Sequence, residues 1–244
     1  MAHNLQPGEQ VFVPTALLPN PGSYGTGLIL RKVLETQNRS TTLDLGHNVA
    51  SPLIANSKLH RNLGILIVRV GDLETEPVLL DPLAKSILHF SRLFMDDSFV
   101  HLLSVRSVAE LEAWLPLNAA RFSHVVLVGH SDAHGLKFGV GGYTQPAQMA
   151  NLCGVQPNHR LTFISLACQS GRASFAKAFS LLPYCQALIA PFHVVHGVIA
   201  AQYCQSFFAH LLLLGESVAV AHRHARQFTP GSTSFRLWEF GAMR

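Results

Sequence analysis

The sequence predicts an α/β fold: a three-layer sandwich around a mostly parallel sheet, preceded by a small β-rich segment. Three observations predict it. From residue 63 onward, short continuous apolar runs alternate with segments whose apolar residues recur at helical spacing, the pattern of strands buried on both faces beneath helices. Before residue 60 the β-like runs are short, and Gly and Pro separate them. Charged residues make up only 13% of the 244 positions against 48% hydrophobic, so much of the chain is expected to be buried.

The N-terminal segment, residues 1–60, carries β-like runs at 10–13, 26–33, 40–45 and 49–54. Turn chemistry separates them at Pro19-Asn20-Pro21-Gly22, Gly25, Gly27 and Gly46. Four short strands with such turns suggest an SH3-like barrel; a β extension of the main domain fits equally well. Residues 61–244 form the main domain. The runs 63–70, 99–105, 124–129, 161–167, 186–190 and 235–240 read as strands. Helices are expected over 82–94, through Leu83, Ile87, Leu88 and Phe94, over 146–152, and over 174–182. Another spans 107–115, where Ser107 and Glu110 form a capping box. Two more, over 198–214 and 216–226, are divided by Gly215.

Composition excludes several functions. The formal charge is +4 and dispersed, with no Lys/Arg block, so nucleic-acid binding is not expected. Cysteines stand at 153, 168, 185 and 204 with no C-x-x-C pair, which argues against a zinc knuckle or a disulfide scaffold and for reduced thiols in the cytoplasm. The first residues are polar, and the apolar run 187–199 is interrupted by His193, His196 and Gly197, so neither a signal peptide nor a membrane span is expected.

In parallel sheets, chemistry gathers where strands end at their carboxyl side. Two strand ends carry reactive side chains. One runs through Gly129-His130-Ser131-Asp132-Ala133-His134-Gly135, the other through Ala167-Cys168-Gln169-Ser170-Gly171. A thiol and an imidazole at the tips of neighbouring strands form the Cys–His arrangement for attack on a carbonyl: the imidazole takes the thiol proton and the thiolate is the nucleophile. Backbone N–H groups of Cys168 and Ser131 are the expected oxyanion donors. Gly171 and the small residues beside Cys168 permit a tight turn that exposes the sulfur.

This pattern, strand–His followed by strand–Ala-Cys-x-Ser-Gly, resembles the caspase-like superfamily. The run Ala167–Gly171 resembles CHAT domains most. The later blocks Phe207-Phe208-Ala209-His210-Leu211, Gly215-Glu216-Ser217-Val218 and 221–226 are similar to the CHAT C-terminal region. The resemblance spans roughly 63–240. It implies a cysteine peptidase acting on protein or peptide substrates, held in check until a protein partner or other trigger acts, as in bacterial defence or cell-death effectors. The family pattern has His-Gly where this chain has His130-Ser131; His134-Gly135 keeps the literal pair but lies past the strand end, so His130 is the preferred base and His134 the alternative. No metal or organic cofactor is needed for such chemistry.

Relatives select charged side chains through a charged pocket, yet residues 184–215 hold no Asp, Glu, Lys or Arg. That leaves Asp132, Arg172 or a neutral pocket for selectivity, and His193 is a further substrate-binding candidate as a loop residue beside the cleft. His193 and His196 form H-x-x-H without a spaced third ligand and read as loop residues. His222 and His224 read as side chains favoured by the dipole near a helix C-terminus. Cys153, Cys185 and Cys204 read as structural. Gly129-His130-Ser131-Asp132-Ala133 also nearly spells a nucleophile elbow, which would make Ser131 the nucleophile of a serine esterase. Against this, Gly135, Gly139, Gly141 and Gly142 suggest a hairpin rather than the required helix, and no acid lies between Asp132 and Glu216. A third alternative is a catalytically inactive caspase-fold binding module.

Overall fold

A computed structural model describes residues 5–46, 49–72, 74–152 and 160–244. The first strands are β1 (Gln10–Pro14), β2 (Leu28–Thr36), β3 (Ser40–Leu43) and β4 (Ile54–Ala55), joined in that order as an antiparallel sheet. The sheet curls: beyond β4 the chain returns to β1, and Phe12 and His60 exchange backbone hydrogen bonds of 2.8 and 3.1 Å. Leu5, Val11, Val13, Val33, Leu43, Ile54 and Leu59 fill its concave side as a small separate core. The expected strand over 49–54 shrinks to Ile54–Ala55, because residues 49–53 run without ladder partners. Phe12 and Leu28 pack instead into the main core, and Leu28 donates its N–H to Phe94, which docks the small sheet.

The main sheet contains β5 (Ile65–Val70), β6 (Val100–Val105), β7 (His124–Val128), β11 (Leu161–Ser165), β12 (Cys185–Pro191), β13 (Phe235–Glu239) and β14 (Ala242–Met243). Between β7 and β11 lie the short strands β8 (His130–Ser131), β9 (Leu136–Phe138) and β10 (Gly142–Thr144), which form their own antiparallel sheet. The main order is β14-β13-β12-β11-β7-β5-β6; the five strands from β12 to β6 are mutually parallel, and β13 and β14 are antiparallel. Alternate residues face opposite sides. Ile65 and Ile67 pack under α1 (Asp81–Ser91), α4 (Gly197–Phe208) and α5 (Val218–Phe228). Leu66 and Val68 pack against α2 (Val108–Asn118) and α3 (Ala173–Ser180). Two cores on two faces explain why these strands read as unbroken apolar runs.

Local chemistry refines the helices. Ser107 caps α2 by accepting the Glu110 N–H at 3.2 Å, but the Glu110 carboxylate takes the N–H of Arg106 rather than that of Ser107, so the expected box is only half made. The helix expected over 146–152 is a single 3₁₀ turn, Pro146–Met149, and Cys153 lies outside the described residues. The helix expected over 198–214 divides: α4 stops at Phe208 and a π-helical turn, Ala209–Leu213, carries the chain to Gly215. Gly215 has φ +57°, and a Cβ there would stand 2.7 Å from Lys58 Cδ, so the break needs glycine. Among the described residues no helix is long and apolar enough to cross a membrane.

Candidate active site

Cys168 and His130 follow β11 and β7, which are adjacent and parallel, with Thr162 opposite His124 and Ser165 opposite Leu127. Both residues are half-buried. Their loops are tied together twice: the Ser131 hydroxyl donates to the Cys168 carbonyl, and the Ser174 hydroxyl donates to the Ala133 carbonyl. The two residues therefore follow neighbouring strand ends on the same side of the sheet.

The turn carrying the sulfur is built by a few contacts. Gln169, directly after Cys168, has φ +63°, a left-handed conformation uncommon for a side chain of this kind. Its N–H donates to the His193 carbonyl at 3.3 Å. Ser170 is fully buried and donates to the Ala167 carbonyl at 2.7 Å, closing the turn. Gly171 is required for close approach rather than for its angle: a Cβ would stand 2.4 Å from the Ala190 carbonyl oxygen.

Each of the two side chains is held by a neighbour outside the pair. The Cys168 sulfur lies 3.6 Å from the Val195 carbonyl and 3.5 Å from the Val195 N–H, and these are its hydrogen-bond partners among the described residues. His130 Nε2 lies 2.7 Å from Thr75 Oγ1. The imidazole and the thiol are therefore brought to one rim but not hydrogen-bonded to each other. Sequence reading missed Asp72 and Thr75, which follow β5. Asp72 Oδ1 accepts the Thr75 hydroxyl at 3.0 Å, the Thr75 N–H at 2.8 Å and the Glu74 N–H at 3.1 Å. The Thr75 N–H is the main cause that holds the Asp72 carboxyl below its ordinary range. With the threonine proton on the carboxylate, its oxygen accepts from Nε2–H of His130, the tautomer that leaves Nδ1 its lone pair. The signal for this was faint: an Asp three residues before a Thr just past a strand end is ordinary loop chemistry.

The other expected site residues are placed as follows. Asp132 Oδ1 accepts the N–H groups of His134 and Gly135 at 2.7 and 2.9 Å and so shapes its own loop. His134 is exposed on that turn. Arg172 donates Nε to the Phe192 carbonyl at 3.3 Å, with its guanidinium 5.5 Å from the Phe192 ring centre. His193 is exposed, and its N–H donates to Ser234 Oγ at 2.8 Å. Ser131 is followed by the β8–β9 hairpin and not by a helix, so it does not sit on a nucleophile elbow. Cys185 and Cys204 are buried, as expected for structural thiols, and burial pushes the Cys204 thiol well up. His222 and His224 do not face a helix end. His222 is buried against the Tyr203 hydroxyl at 2.6 Å, and His224 turns to Glu216. A cavity of about 1100 Å³ opens at the opposite rim, beside Ser123, His124 and Thr162, and Cys168 does not line it.

Comparison with solved structures finds an inactive zymogen of a C11 protease from Parabacteroides distasonis, with a TM-score of 0.52, 10% sequence identity, and coverage of 72% of this chain and 61% of that one. The fold is caspase-like. The chain thus spans about three-fifths of that protein's length. No protein-family model matches the sequence, and no curated protein matches it.

Proposed function

We propose that this chain is a cysteine peptidase in which Cys168 attacks the scissile carbonyl and His130 moves the protons. The observation that carries this reading is the delivery of the two residues to one rim by neighbouring parallel strands, with their loops tied by Ser131 and Ser174. The likeness to a C11 protease fold supports it. In the proposed reaction Nδ1 of His130 takes the thiol proton, and the imidazolium is stabilised through Nε2–H by Thr75 and Asp72. The thiolate forms the thioester, His130 returns the proton to the leaving amine, and water then releases the acid product. Backbone N–H groups of Cys168 and Ser131 are the proposed oxyanion donors. His134 remains the alternative base.

The held positions of the two side chains suit a triggered effector. The sulfur must leave the Val195 backbone before His130 can reach its proton, and an activating partner would supply that movement. The Cys block further suggests a CHAT-type domain over 61–244, with residues 1–60 as a small SH3-like segment that docks a partner or substrate. Asp132, Arg172 and His193 are the proposed substrate contacts. The same held positions favour a second reading, a catalytically inactive binding module. One experiment separates them. Wild-type protein, Cys168→Ala and His130→Ala are incubated with a peptide library, and an iodoacetamide probe is followed on each thiol. A peptidase cleaves only as wild type and alkylates Cys168 well before Cys185 and Cys204. Full cleavage by Cys168→Ala defeats the assignment, and uniformly slow labelling without cleavage makes the chain a binding module.

A further inference from the structure

We propose that His210, Glu216 and His224 form a binding site for one borderline divalent cation, zinc by preference, that fastens α5 to the end of α4. The three residues come from three pieces of chain: the π-helical turn after α4, the linker before α5, and the second turn of α5. Their ligand atoms all lie within 4.8 Å of one another. His224 Nδ1 is 3.0 Å and His210 Nδ1 3.3 Å from the same oxygen, Glu216 Oε2. Zinc bonds to N and O ligands are about 2.0–2.1 Å, which makes the edge of a tetrahedron about 3.3 Å. The His210 separation matches such an edge, and the His224 separation is shorter by about 0.3 Å.

The hydrogen-bond inventory argues the same way. His224 Nδ1 bonds the carboxylate with good geometry, yet His210 Nδ1, buried and close to the same oxygen, makes no hydrogen bond. Without an ion, that nitrogen has only its 3.3 Å approach to Glu216, which does not meet hydrogen-bond geometry. A cation between the three atoms uses both imidazole lone pairs and the carboxylate together. Two neutral imidazoles and one carboxylate leave a net positive charge on a divalent ion and an open position for water, a donor set that suits zinc and not the all-oxygen ions.

The site is preorganised. The His210 ring stacks on Phe228, with centres 5.9 Å apart and planes 11° apart, and lies 5.0 Å from the His224 ring. The Glu216 N–H donates to the His210 carbonyl at 3.3 Å. Lys58 Nζ holds the Leu214 carbonyl at 2.7 Å, beside the left-handed Gly215 that aims Glu216 back at the helix. Glu216 also lines the cavity of about 1100 Å³, which gives an ion a route in from solvent.

The test uses the full chain in a Cys168→Ala background, so that the thiol cannot capture the metal. Chelator-treated protein is titrated with zinc by calorimetry and followed by thermal unfolding. Cobalt is then added in its place and its visible absorption recorded. The expected result is one zinc per chain, a higher Tm with metal, and an intense cobalt spectrum of tetrahedral type. His224→Gln and, separately, His210→Gln should weaken zinc binding at least about tenfold and lose that spectrum. His89→Gln, on the exposed side of α1, should change neither. Absence of stoichiometric zinc binding in the parent overturns the proposal. So does zinc binding that survives both substitutions. If a glutamine variant does not fold, the cobalt spectrum of the parent still decides, because an octahedral, weakly absorbing species refutes the site.

Discussion

Thr75→Val isolates the relay behind His130. Valine keeps the shape of threonine and removes the one oxygen that His130 Nε2 meets at 2.7 Å. Asp72 keeps the N–H groups of Glu74 and Thr75, so its loop remains held. A hydrogen bond to a charged group contributes about 1.5–3 kcal/mol. The His130 side chain is 33% exposed, and water replaces part of the lost bond, so the lower figure applies. About 1.5 kcal/mol corresponds to about a tenfold change in rate. In the triggered protein, kcat/KM for peptide cleavage should therefore be about tenfold lower in Thr75→Val than in wild type. His130→Ala should lower it further. If both variants cleave as fast as wild type, the imidazole does not move the protons and the proposed dyad is wrong.

Gly171→Ala should destabilise the fold by about 1–3 kcal/mol, because the new methyl group meets the β12 backbone at Ala190 and Pro191. Thermal unfolding should show a loss of about 2–4 °C per kcal/mol, while Gly141→Ala, with nothing within 4 Å, should be nearly neutral. Acid should weaken the protein through His124. Burial, with a smaller contribution from His60, moves its pKa from 6.5 to about 3. The unfolded chain then binds a proton that the folded chain refuses, so the stability contribution is complete above pH 6.5, falls as the pH drops toward about 3, and levels off below that. The full span corresponds to about 5 kcal/mol. Denaturant titrations across that window should show a gentler slope for His124→Gln, and an identical slope would remove His124 as the cause.

The sheet was legible because its strands are buried on both faces, and Leu63 to Val70 or Leu161 to Ala167 admit no other reading at that length. The placement of Cys168 and His130 was legible for a related reason: residues just past adjacent buried parallel strands fall on one rim. What the sequence hid depends on distances between loops. Asp72 and Thr75 look like turn residues until β5 is seen to lie beside β7. The sequence also did not show that Asp132 Oδ1 caps its own turn. His224 looked like a helix-end cation, and only the π-helical turn and Gly215 bring Glu216 and His210 to it. Register and helix breaks set such contacts, and single-residue chemistry does not reveal either.

Four contiguous strands, β12-β11-β7-β5, supply the rim in order: Val195 follows the first, Cys168 the second, His130 the third, and Asp72 with Thr75 the fourth. The imidazole is therefore anchored from one side of the site and the sulfur from the other. The sulfur's anchor, the 192–196 loop, is fixed by His193 N–H to Ser234 Oγ at 2.8 Å and by Gln169 N–H to the His193 carbonyl at 3.3 Å. Ser234→Ala removes the first of these at a cost of about 1 kcal/mol and touches nothing on the His130 side. If Val195 restrains the sulfur, loosening its loop should let the thiol reach the imidazole more often, and Cys168 should alkylate several-fold faster at pH 7. A slower reaction would mean that the Val195 N–H stabilises the thiolate, in which case the contact belongs to the active geometry and the protein is not held in check at this point.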